Sequence, residues 1–104
     1  MKLGVFDRLI LLNILPKEGD FTTLKIIRTM REDLSFSEEE HKALEFKQEE
    51  ANIQWKKEAD IERDVNFGEK ATDIIVGVLK ALNDAKPPKL TEQHFSLYEK
   101  FVGD

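Results

Sequence analysis

Cysteine is absent from the 104 residues, which removes disulfides, thiolate nucleophiles and cysteine-based zinc sites together. Nothing in the fold therefore needs an oxidising compartment. Histidine is almost as scarce. His41 and His94 are the only imidazoles available to a nucleophilic triad, and neither stands in a recognisable nucleophile motif. Both read as surface histidines, with Ser96 an ordinary helix serine. Positive charge is in deficit, 16 Lys and Arg against 21 Asp and Glu for a net charge of −5, which argues mildly against a phosphate-binding surface. No apolar run reaches the ~20 residues of a membrane span. The segment Met1 to Leu15 also fails as a signal peptide. Asp7 and Arg8 interrupt it, Asn13 sits inside it, and Pro16-Lys17-Glu18 stands where a cleavage site belongs. It reads as a first core helix, with no membrane partner and a cytoplasmic location as the expectations.

What is present is 40% apolar and 36% charged residues, enough apolar material for one core beneath a heavily solvated surface. The length fits a single α+β domain over residues 1–104. Apolar residues from Val5 to Leu15 cover nearly the whole circumference of a helix that Pro16 ends. Asp20 then caps a second helix with Leu24, Ile27, Met30 and Leu34 on one side and Lys25, Arg28 and Arg31 on the other. Ser37 with Glu38-Glu39-Glu40 has capping-box spacing and predicts a short third helix to about Ala43.

From Leu44 the period becomes two, predicting a hairpin with Glu50-Ala51-Asn52 near its turn. A third alternating run, Ile61 to Phe67, reads as a further strand or an extended loop. Phe67, Ala71, Ile74, Ile75, Val78, Leu79 and Leu82 form one stripe of a long helix over 68–85, the expected centre of packing beneath the small sheet. Gly77 within it suggests a close helix approach. Thr91 caps a last helix with Phe95, Tyr98, Phe101 and Val102 on one side. The order is three helices, a small antiparallel hairpin or meander, a long helix and a C-terminal helix.

That order is also the order of a winged helix, in which the third helix enters the major groove. Lys25, Arg28 and Arg31, with Lys47, Trp55, Lys56 and Lys57 on the hairpin, are the candidate nucleic-acid contacts. The acidic third helix opposes this reading. Asp60, Glu62, Asp64 and Asn66 alternate and would share one strand face, where oxygen ligands can hold a hard cation. Val65 and Ala71 stand where a calcium loop needs its glycine and its closing carboxylate, so the solvated face is preferred. Glu38 and His41 have di-iron spacing but lack a second copy on a facing helix. No cofactor is expected.

Apolar surplus in the first and last helices points to a protein interface, with Leu11, Ile14, Phe95, Tyr98 and Phe101 as anchors and a homodimer as the commonest outcome. The run VFDRLILLNILPKEGDFTTLK from Val5 to Lys25, with LSFSEEE from Leu34 and SLYEKF from Ser96, resembles small uncharacterised proteins of tailed phages and their bacterial hosts. The resemblance spans most of the chain and transfers no functional residue. It implies the setting of small phage accessory proteins, which fits a binder of a virion, replication or host component better than an enzyme. A non-catalytic, self-associating interaction module is the expected function, with a winged-helix-like nucleic-acid-binding regulator as the alternative.

Overall fold

The computed structural model describes residues 1–49 and 52–103. Its elements are β1 (Lys2–Leu3), α1 (Val5–Ile14), α2 (Phe21–Leu34), α3 (Glu38–Leu44), β2 (Lys47–Glu49), β3 (Asn52–Gln54), a 3₁₀ turn (Lys57–Ala59), β4 (Arg63–Asp64), α4 (Glu69–Asp84) and α5 (Glu92–Phe101). The class is α+β, in the expected order of helices, hairpin and helices. Of the expected hairpin turn, Glu50 and Ala51 lie outside the described residues, and Asn52 opens β3. The β2–β3 pair is antiparallel with Gln48 opposite Ile53.

The helix starts follow their capping chemistry. Asp20 accepts the Thr23 N–H at 2.7 Å. Ser37 Oγ accepts from Glu40 N at 3.1 Å while Glu40 Oε1 accepts from Ser37 N at 3.0 Å, closing the capping box. The N-cap of α1 is Gly4, which has no side chain to offer. Asp60 replaces it from 55 residues away, its Oδ1 accepting the Val5 N–H at 3.1 Å.

The core gathers Leu11 and Leu15, then Ile27, Met30 and Leu34 of α2, then Ala71, Ile75 and Leu79 of α4, with Leu97 of α5. Thus α4 presents the stripe its spacing predicts, packing on α2 and α5. Three expectations need correction. Lys2–Leu3 is a strand that pairs with β4, Leu3 opposite Arg63. The third alternating run forms a strand, one of the two readings made of it, and pairs with β1 rather than with the hairpin. Nor does the hairpin cover α4: the aromatic residues that flank it pack elsewhere, Trp55 against Phe6 of α1 and Phe46 against Phe36 and against His41 of α3. Finally, Gly77 is exposed and a Cβ built there meets nothing within 4 Å, so no helix approaches it.

Two buried charges join the elements. Arg8 is fully buried. Its Nε donates to Leu34 O at 3.1 Å, Nη2 donates to Ser35 O at 2.7 Å, and Nη1 meets Glu40 Oε2 at 2.5 Å. The guanidinium carbon stands 4.0 Å from the Phe36 ring centroid. One side chain thus closes the α2 C-terminus and fixes the α3 capping glutamate. The Arg8 hydrogen bond, aided by the Ser37 N–H and by the charges of Arg8 and Arg63, lowers the Glu40 carboxyl to about 2 against the pull of burial. On the neighbouring position, Asp7 meets Lys100 Nζ at 2.7 Å and ties α1 to α5.

Candidate functional site

The outer face of α1, the hairpin and the Phe36 loop enclose an aromatic cleft. Phe6, Leu9, Ile10, Leu12 and Asn13 supply its α1 wall, Ile53 and Trp55 its hairpin wall, and Gln93 one end. This part has a volume of about 530 Å³. It shares Leu9 and Ile53 with a smaller hollow of about 250 Å³, completed by Phe36, His41, Phe46 and Gln48. The positions arise from two periods. Phe6, Leu9 or Ile10, and Asn13 recur along one side of a helix, while Phe46 and Gln48 share a side of an extended strand.

Edge and face contacts order the walls. Phe6 stacks on Trp55 with centroids 6.4 Å apart, and Phe46 meets Trp55 edge-on at 6.3 Å. Phe36 and Phe46 stand edge-on at 5.1 Å, with His41 5.5 Å from Phe46. These separations lie in the favourable range for aromatic pairs. Trp55 Nε1 donates to Asp60 Oδ2 at 3.2 Å, so the carboxylate that caps α1 also orients the indole. Among the described residues, no Asp, Glu, Lys or Arg lines the cleft. Phe6 and Ile53, 40% and 41% exposed, stand open to solvent at its rim.

The expected interface anchors separate. Leu11 is fully buried, so that anchor is withdrawn: the position faces the shared core. Ile14 is half-buried. Phe95 is 66% exposed, while Leu97 turns inward, because two helical residues rotate the chain by ~200°. Phe95 and Tyr98 line a hollow of about 200 Å³ with Leu90 and Asn83. Phe101 is half-buried and packs edge-on against Phe67 at 5.2 Å. The cleft residues Phe6, Leu9, Phe36, Phe46 and Ile53 were missed as a site. The surplus apolar circumference of the first helix was a signal for Phe6 and Leu9 alone, since Phe36, Phe46 and Ile53 stand on other segments.

The candidate nucleic-acid residues fall into two groups, one on α2 and one on the hairpin and the turn that follows it. Lys25 and Arg28 are exposed on α2, whereas Arg31 is half-buried and donates to Leu12 O at 3.4 Å. Lys47, Lys56 and Lys57 are exposed near the half-buried Trp55. Lys56 Nζ lies 2.8 Å from Glu45, an interaction that lowers the Glu45 carboxyl and raises the Lys56 ammonium. The acidic run is not one ligand face. Asp60 is committed to Val5 and Trp55, and Asp64 holds the terminal ammonium at 2.9 Å, which lowers its carboxyl. Among the described residues, no three His, Asp or Glu side chains gather as a metal site.

His94 Nδ1 accepts the Thr91 N–H at 3.0 Å as part of the α5 cap. No helix among the described residues is long and apolar enough to cross a membrane. No family model, curated protein or solved structure matches this chain.

Proposed function

We propose that this chain is a non-catalytic protein-interaction module that associates with itself, in the setting of a small phage-type accessory protein in a bacterial cytoplasm. The aromatic cleft carries the reading. In a chain that is 36% charged, its described lining offers apolar and aromatic surface with amides and the His41 imidazole. Covering the described lining desolvates no Asp, Glu, Lys or Arg side chain, which is the character of an interface centre. Phe6 and Ile53 are knobs at the rim of the hollow they help to form, so two copies can each give and receive.

Trp55 is the only tryptophan and lines the cleft, which makes its emission a local reporter. Emission is expected to shift as protein concentration rises, and Phe6→Glu is expected to remove the shift. Emission independent of concentration contradicts a cleft-to-cleft contact. The exposed Lys47, Lys56 and Lys57 near the same indole support the nucleic-acid alternative. That reading requires duplex or single-strand affinity falling steeply with salt, and no binding at low salt removes it.

A further inference from the structure

A second pair of surfaces, built from residues other than those lining the aromatic cleft, carries opposite charges beside exposed apolar side chains. At the start of α2, Phe21 is 78% and Leu24 39% exposed. The ammonium of Lys25 lies 5.9 Å from the Phe21 ring centroid, and Arg28 is exposed one turn further on. Lys25 and Arg28 hold no ion pair among the described residues. This is an apolar knob with a basic flank.

Beyond the other end of α2 lies an open groove of about 520 Å³. Val5, Ala43, Leu44 and Ala59 line its apolar part, and Ile61, 77% exposed, stands over it. Glu39 and Glu62 belong to the same lining and are exposed. Neither has an ion-pair partner among the described residues. Glu40, also in the lining, is paired with Arg8, and Arg63 of the same lining is paired with Glu40.

We propose that copies of this chain join head to tail, the Phe21 and Leu24 knob of one copy seated in the Ile61 groove of the next, with Lys25 and Arg28 against Glu39 and Glu62. The charge match selects this groove over the aromatic cleft, whose described lining has no carboxylate to receive Lys25 and Arg28. One copy does not satisfy itself, because the knob and the α3 end of the chain are separated by the 14-residue length of α2, about 20 Å at helical rise. Joining unlike surfaces gives an open series or a ring rather than a closed pair.

The inference rests on different residues from the cleft reading and is tested in its absence. Light scattering is measured on a Phe6→Glu background, with Ile53→Glu as a second background should the first fail to fold by circular dichroism. The background protein is expected to gain mass with concentration, more steeply at low salt. Lys25→Glu with Arg28→Glu is expected to weaken that association at least about tenfold by opposing like charges, and so is Glu39→Lys with Glu62→Lys. The chain carrying all four reversals is expected to regain it.

A background that stays a single chain at every concentration overturns the head-to-tail contact while leaving the cleft reading to the wild type. Pairwise reversals without effect, or no recovery in the fourfold variant, overturn it as well. A wild type that never associates removes both readings.

Discussion

Arg8 is the residue on which the most separate elements converge. Its donors close two carbonyls at the end of α2 and hold Glu40, so the ion pair and the α3 cap share one carboxylate. Glu40→Gln separates those roles, since a glutamine still serves in a capping box but leaves a buried guanidinium without its counter-charge. The expected loss is roughly 2–3 kcal/mol in a urea melt, below the ~3–5 kcal/mol that breaking a fully buried pair costs, because Glu40 keeps solvent contact. The pH dependence follows from the lowered carboxyl. With Glu40 at about 2 in the folded chain and 4.5 as its ordinary value, its stabilisation is complete above about pH 4.5 and is lost as pH falls through about 2. Melting temperature followed between pH 5 and pH 2 should therefore fall less steeply in Glu40→Gln than in wild type. The sequence showed the capping box and not the arginine. Spacing reports partners three residues apart, and Arg8 and Glu40 are brought together only by the crossing of α1 over the end of α2.

Among the elements, α4 was the most legible, because burial of one side imposes a helical period over four turns. Its Gly77 misled in detail, having the composition of a close approach on a face that the fold leaves open. Gly77→Ala is expected to stabilise the chain by about 0.5–1 kcal/mol, measured by denaturant titration. A loss of stability would mean that something packs on that face. At the other end of the fold, α1 depends on a cap its own neighbours do not supply. Asp60→Ala is expected to cost about 1–2 kcal/mol and to shift Trp55 emission, since one carboxylate serves both. Asp60→Asn, which keeps an acceptor for the Val5 N–H, should lose less. The strand Lys2–Leu3 was invisible for a related reason: two residues carry no period, and their partner lies some sixty positions away.

On the scale of the whole molecule, the sequence implied surplus apolar surface without saying where it would emerge. The surplus was sought at Leu11 and Ile14 and on the last helix. Leu11 went inside because α1 is covered by α2, α5 and β1, whereas Phe6 and Ile53 came out because the hairpin leans on α1 without sealing it. Periodicity assigns a residue to a side of its element, and only the arrangement of the elements decides whether that side meets a neighbour. The basic strip of α2 shows the same division, with Arg31 drawn against the α1 carbonyl of Leu12 and Lys25 and Arg28 left in solvent. What unites these surfaces is the central claim, that the chain works by associating with copies of itself. The most direct measurement is the solution mass of the wild-type protein by light scattering over a wide concentration range. The expected result is a mass that rises above the 12.1 kDa of one chain, and rises less in Phe6→Glu, where only the head-to-tail contact remains. A mass of one chain throughout, for wild type and variant alike, would contradict it.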